Sequence, residues 1–376
     1  MPEDLRVEVV DRPDHAEWDA LAGRESFYAG TRWLAFQRAL EPNAHAYHVC
    51  VRSGDRLVAA VAVFALDRPS RADYHPHRLF PDITRPDATP VTLIGGTNGY
   101  LSAPLGGAAA PLPLLLDAVD RITEEHSAGL GWWLYTTSEH AATIAERAGV
   151  VPRLHAWGEC VVDLPGAGFD DYLGGLSRSR REAVRRDLRG ITRSGLTVER
   201  TRLSTCHERC GWLLAQTMRK YDKEATPEDM AEWLDKLNGA AADTGQVYLC
   251  RDERRQVIGF SLAYAEGTTD YMRVAGFDYA NAPHVGEYFQ LLFYEPIRDA
   301  YQRGATALHV GSGSTHAKAR RGARVRPLWA VPTRAEAWDV GTTTEHNRRR
   351  ASELRAELPN EDLVWAHGSE EWLRTP

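Results

Sequence analysis

The densest chemistry in this chain is cationic. Seven arginines stand in one run: Arg178, Arg180, Arg181, Arg185, Arg186, Arg189 and Arg193. Guanidinium forks bind phosphate oxygens in pairs. Residues three and four apart are neighbours on a helix, so Arg178, Arg181, Arg185 and Arg189 share one broad face. Leu176, Ala183, Val184, Leu188 and Ile191 supply the apolar stripe. The basic face is either a phosphate-binding surface or a solvated one that Glu182 and Asp187 partly neutralise. A second basic run, His316-Ala317-Lys318-Ala319-Arg320-Arg321-Gly322, follows Gly311-Ser312-Gly313-Ser314. The glycine-serine run leaves backbone amides at a strand end, a place to hold an anion. His316 is either a proton acceptor or a plain loop histidine. Tyr271 and Arg273 share one strand face by the two-residue period. That face is packed, with Arg273 paired, or it lines a substrate site.

These groups need elements to carry them. Val247–Cys250 and Val257–Tyr264 read as strands across the polar turn Arg251–Gln256, and Thr269–Phe277 as a third. Tyr288, Leu291, Leu292, Tyr294 and Ile297 predict a helix from about Tyr288 to Tyr301, with a kink at Pro296 and a stop at Gly304. Ala305–Val310 returns as a strand. The first half has the same order in weaker form: a hairpin His48–Arg52 and Leu57–Phe64, a helix Leu114–Glu125, and a strand Trp132–Tyr135. Such a repeat predicts two related α/β halves, divided near Leu164–Gly168 into 1–165 and 166–376. Ser204 is expected to cap a helix from Thr205 to Tyr221, and Thr226-Pro227 to start another. Asp67–Ala110 is too long for a bland connector. Its notable residues are Arg78 and Tyr100, either packed on the surface or walling a pocket.

With 43% hydrophobic and 26% charged residues, the 376-residue chain has a globular composition and room for about two domains. Its eleven tryptophans are best explained as packing anchors. A net charge of -7 argues against a protein that coats nucleic acid, while leaving room for a local basic patch. Five cysteines without a framework of spacings, no basic-apolar leader and no membrane-length apolar run point to the cytoplasm. Cys206, His207 and Cys210 lack a second ligand pair, so no metal is expected. Neither a Gly-x-Ser-x-Gly elbow nor a phosphate-loop motif is present.

The stretch Val247–Trp329 resembles the GNAT acyltransferase superfamily, and within it the Fem-like aminoacyl transferases. The resemblance rests on the strand hairpin, Gly276-Phe277-Asp278, the long helix, Gly304 before a strand, and Lys318-Ala319-Arg320-Arg321-Gly322. It implies two tandem GNAT-like halves, each a mixed sheet flanked by helices. The acceptor side then lies in 1–165, with Arg78 and Tyr100 candidates there. The donor and catalytic side lies in 166–376. Lys318 matches the lysine that lies near the transferred acyl group in Fem-like proteins, although Ala317 stands where an aromatic residue is usual. Tyr271, Arg273, His316, Arg320 and Arg321 are the substrate-binding candidates around it. The implied activity is aminoacyl transfer from aminoacyl-tRNA to an amine, on a cell-wall precursor or a natural-product metabolite, with no resident cofactor. Arg178, Arg181, Arg185 and Arg189 would then meet tRNA phosphates. The alternatives are acyl-coenzyme A as donor and a non-catalytic binding protein. Coenzyme A users of the superfamily have a glycine-rich loop before the long helix, whose amides cradle the pyrophosphate. Here that stretch is Asn281–Glu287, with one glycine and an acid, which favours the tRNA donor.

Overall fold

The computed structural model describes residues 5–23, 25–83, 90–106, 111–127, 130–147, 153–334 and 340–358. Its strands are β1 (Leu5–Val10), β2 (His45–Ser53), β3 (Arg56–Leu66), β4 (Val91–Ile94), β5 (Gly131–Thr136), β6 (Leu154–Asp163), β7 (Thr197–Arg202), β8 (Gln246–Arg251), β9 (Val257–Glu266), β10 (Thr269–Phe277), β11 (Ala307–Ser312) and β12 (Arg324–Pro332). The chain packs as two compact units, residues 1–158 with 326–376, and residues 159–325.

In the first unit β1, β2, β3 and β4 pair antiparallel in that order, β4 and β5 pair parallel, and β5 pairs antiparallel with β12. The second unit has the same sequence of pairings: β7, β8, β9 and β10 antiparallel, β10 with β11 parallel, and β11 antiparallel with β6. Each also inserts two helices after its first strand, His15–Ala22 and Thr31–Leu40 in one, His207–Lys220 and Pro227–Ala240 in the other. The repeat seen in the sequence is therefore a repeat of topology. The division differs from 1–165 and 166–376. β6 runs unbroken through Asp163 and pairs from Glu159 onward with β11, and the chain from Arg326 belongs with the first unit through the pairing of β12 with β5.

The first unit's core is aromatic. Trp18, Trp33, Trp132 and Trp133 are almost wholly buried, and Phe80 stacks on Trp132 at 5.7 Å. The tryptophans are packing anchors here, each burying a large apolar area. Thr226 caps Pro227–Ala240 by accepting from the Asp229 amide, as its position before proline implies. Ser204 does not cap the preceding helix. It lies in a short 3-10 turn and binds Asp243, and Cys206 takes the cap position.

The long helix is three segments: Glu287–Phe289, a wide π turn Gln290–Tyr294, and Glu295–Arg303. Gly304 ends it at φ 78, a left-handed cap that favours glycine. Pro296 is absorbed rather than kinking a regular helix. The π turn would direct a bond from residue 296 to the Leu291 carbonyl, and proline has no N–H to give. The Ser261 hydroxyl of β9 donates to that carbonyl instead, at 2.6 Å.

Candidate active site

The second unit's sheet opens where its parallel pair ends. β10 and β11 pair at Thr269↔Ala307, Asp270↔Leu308 and Tyr271↔His309, and no further. Just beyond, β10 carries a bulge between Met272 and Val274, and β11 one between His309 and Gly311. Bulges re-aim side chains and interrupt pairing, and are frequent beside active sites. The register lines up Tyr264, Tyr271, His309 and Val161 across four strands. The Tyr271 ring lies 5.3 Å from the His309 ring. His309 Nε2 meets Glu159 Oε2 at 2.8 Å, both side chains being at most 1% exposed.

Lys318 fills the end of this opening. The basic run does not form a loop: Thr315–Ala319 is a short helix that starts from Ser314 at φ 48. Lys318 is 3% exposed, and its ammonium donates to the carbonyls of Val310 (2.6 Å), Gly311 (3.2 Å) and Ser312 (2.9 Å). The anion site expected at this strand end is thus the reverse. Carbonyls converge there on a cation, because the short helix returns the lysine onto the strand it follows. An ammonium has three N–H donors, and the three carbonyls accept from all of them.

The other candidates separate by burial. Arg273 is the residue skipped by the β10 bulge, so the simple two-residue face shared with Tyr271 is broken at that point. Its guanidinium lies 5.2 Å from the Trp233 ring. Tyr264 is buried, which pushes its hydroxyl pKa up. His316 and Arg320 are exposed. Arg321 is committed to packing: Nε and Nη2 donate to Asp187 Oδ2 at 2.9 and 2.6 Å, Tyr294 donates to the same oxygen at 2.6 Å, and the guanidinium lies 3.7 Å over Phe289. A substrate-binding role for Arg321 therefore conflicts with its geometry.

Asp187 belongs to the arginine helix, Arg178–Arg193. Ala183, Val184, Asp187 and Ile191 form its buried side. Arg178, Arg185, Arg186, Arg189 and Arg193 are exposed, and the exposed acid among them, Glu182, pairs with Arg178 at 3.1 Å. Arg181 turns away and donates to the Leu176 carbonyl at 3.0 Å. The basic stripe is real, but its membership differs from the sequence expectation: Arg181 leaves it, and Arg186 and Arg193 join it.

The loop before the long helix settles its own amides. Glu287 is buried, and its carboxylate accepts from the backbone N–H of His284 (3.2 Å), Val285 (2.9 Å) and Gly286 (3.1 Å). Gly286 holds φ 113, with the Asp187 Cβ 2.9 Å from where its own Cβ would lie, so glycine is required there. The amides that cradle a pyrophosphate in the resembled fold are here closed by an internal anion.

In the first unit, Arg78 is exposed. Tyr100 packs edge-on against Tyr28 at 5.9 Å. The loop around Tyr100 is tied down: Gln37 accepts from the Thr97 amide at 2.7 Å, and Asn98 donates to Glu41 at 3.3 Å. A cleft of about 290 Å³ is lined partly by Glu25, Ser102, Thr137, His140 and Arg326. Glu25 and His140 approach to 3.6 Å. Burial pushes the Glu25 carboxyl pKa up, and His140 partly offsets it. Among the described residues there is no cluster of three or more metal-ligating side chains.

Sequence reasoning missed Glu159, His309 and the Glu25–His140 pair. The first two carried a usable signal, since each is a polar residue in a mainly apolar strand, Leu154–Val162 and Ala307–Val310. Glu25 and His140 are far apart in sequence and gave none.

A family model described as peptidoglycan biosynthesis/recognition, FemAB-like, matches residues 86–339, about two thirds of the chain. The chain belongs to the FemAB-like family. By that membership it is an acyltransferase. No match to the sequence was found among curated proteins. Among solved structures, FemX shares 11% identity with this FemAB-like chain at a TM-score of 0.62, covering 87% of this chain and 97% of its own. A conserved protein of unknown function from Bacteroides thetaiotaomicron gives 12%, 0.58, 87% and 99%. L-PGS from Bacillus licheniformis gives 12%, 0.54, 91% and 98%. At such identities the likeness is one of fold, and it extends over most of both chains. Among the described residues no helix is long and apolar enough to cross a membrane.

Proposed function

We propose that this FemAB-like chain moves an aminoacyl group from aminoacyl-tRNA to an amine acceptor, a cell-wall precursor or a small metabolite. The observation that carries the choice of donor is Glu287. Its carboxylate occupies three backbone amides at the start of the long helix. A coenzyme A pyrophosphate would have to displace a buried anion and then sit beside it, against Coulomb repulsion. The exposed arginine stripe supports a polyphosphate donor of another kind, because a row of guanidinium groups suits a nucleic-acid backbone. The family's description favours a peptidoglycan precursor as acceptor.

In this reading the amine attacks the ester carbonyl, the C–N bond forms, the bond to the ribose oxygen breaks, and the proton that the amine loses ends on that ribose oxygen, so that an amide and a free ribose hydroxyl result. Developing negative charge on oxygen needs a fixed positive partner. Lys318, with its N–H bonds already engaged, acts as a held charge rather than as a proton donor. The test is to incubate the protein with a pool of charged tRNAs and, separately, with acyl-coenzyme A thioesters, each with candidate amines. Amine-dependent deacylation of tRNA, abolished by ribonuclease, is expected. Amine-dependent release of coenzyme A that survives ribonuclease would overturn the donor assignment.

A further inference from the structure

The first unit has a second cleft, of about 370 Å³, lined by Arg68, Pro69, Ser70, Ala72, His75 and Arg78. That volume is at the lower end of the range for small-ligand sites, about 300–1,000 Å³. Its cations lack counterions. Neither Arg68 nor Arg78 has a carboxylate within ion-pair distance among the described residues. The nearby acids are taken: Asp73 pairs with Arg71 at 2.7 Å, and Glu41 accepts from the backbone and hydroxyl of Ser70. Both arginines are exposed, as groups awaiting a soluble partner are.

His75 gives the second, independent observation. It is 4% exposed, and its Nε2 is buried without a hydrogen-bond partner among the described residues. A buried polar atom left unpaired is unfavourable, and such atoms call for an explanation. The backbone fixes the ring there. His75 precedes Pro76 and is extended, with φ −92 and ψ 108, as the residue before proline must be. His77 packs edge-on against it at 4.9 Å. Burial first, then His77, Arg68 and Arg78, lower its pKa, so the ring is neutral near pH 7 and offers one N–H.

We infer that Arg68, His75 and Arg78 form a binding site for the phosphate or diphosphate group of a small ligand. The two forks take the phosphate oxygens, which is the geometry guanidinium groups favour. His75 in its Nε2–H tautomer donates to a third oxygen, and that removes the orphaned atom. The cleft exceeds a single phosphate, so the rest of the ligand lies beside it. The site stands without the transferase reading; only the ligand's identity as the acceptor substrate rests on that reading.

The probe is inorganic pyrophosphate, titrated into the full chain at low salt and followed by calorimetry and by the ¹⁵N resonances of selectively labelled histidine. A saturable shift of the His75 Nε2 resonance is expected. The Arg68→Ala/Arg78→Ala double variant, both positions being exposed and so neutral for folding, should weaken binding at least about tenfold. His75→Gln, which keeps a donor, should bind within a few-fold of the native chain. No saturable binding, or binding that the double variant leaves unchanged, overturns the site. If a transfer RNA moves the His75 resonance while pyrophosphate and a nucleoside diphosphate do not, the small-ligand assignment is wrong. Transfer assays in the same double variant then separate the two claims: abolished pyrophosphate binding with transfer intact leaves the site standing and removes it from the acceptor path.

Discussion

Lys318 and the Glu159–His309 pair show how residue type and residue role come apart. Lys318 was legible as a candidate because a family pattern marks it. Its three carbonyl partners were not, since they depend on a five-residue helix turning back onto β11. Replacing it by Met keeps the stem and removes the charge. The buried carbonyls of Val310 and Gly311 then lose their donor, at about 1–3 kcal/mol each before relaxation, and the half-buried Ser312 carbonyl loses less. Lys318→Met is expected to lower both the denaturant midpoint and the transfer rate. A variant with native transfer kinetics would remove the held-charge role. Glu159→Ala should cost about 1–3 kcal/mol, because it removes the buried hydrogen bond to His309 Nε2. Glu159→Gln, which retains a hydrogen-bond acceptor, should cost less, and urea melts of the two variants separate charge from hydrogen bonding. Ser261→Ala leaves the Leu291 carbonyl buried opposite a proline, and a loss of about 1–3 kcal/mol is expected by the same measurement.

At the scale of elements, periodicity gave strands and helices where one face is apolar. Thr269–Phe277 and Gly304 stand where the pattern puts them. The failures are places where a local device overrides the pattern. The π turn shifts hydrogen bonding by one residue, and the β10 bulge cancels the face shared by Tyr271 and Arg273. The arginine helix was legible as an amphipathic element, but Arg181 was misplaced, because only the fold supplies the Leu176 carbonyl it binds. Arg185 and Arg189 make no ion pair among the described residues and are exposed, so Arg185→Ala/Arg189→Ala should leave stability within about 0.5 kcal/mol per site. If the stripe meets a tRNA backbone, the slope of log affinity against log salt should fall by about 0.7–0.9 for each phosphate no longer neutralised. Unchanged affinity and slope would show a merely solvated face.

At the scale of the whole molecule, the topological repeat was readable because two weak copies in the same order support one another, whereas the division into units was not. A boundary drawn at a glycine-rich linker ignores where the next strand pairs, and β12 pairs in the first unit although it follows the second in the chain. The first unit also holds the histidines that make the molecule sensitive to acid. Burial lowers the pKa of His48 to about 4, and lowers those of His75, His155 and His346. In the unfolded chain a histidine takes its proton near pH 6.5. Between about pH 6.5 and the lower folded values the unfolded chain binds more protons, so stability rises with pH through that window and is lost as pH falls. His48 alone contributes up to about 3 kcal/mol at the bottom of it. Glu25, Asp120 and Asp270 act in the opposite direction, because their raised pKa values make the folded chain take up a proton first on acidification, but they are three groups against four, and the large shifts are those of His48 and His155. Urea melts at about pH 7 and about pH 5 should therefore show lower stability at the acid end. Hydrogen exchange should place the early opening in β2 and β6, which carry His48 and His155. His48→Gln should flatten the dependence, and a pH-independent midpoint in the native chain would mean that these imidazoles are not held neutral by the fold.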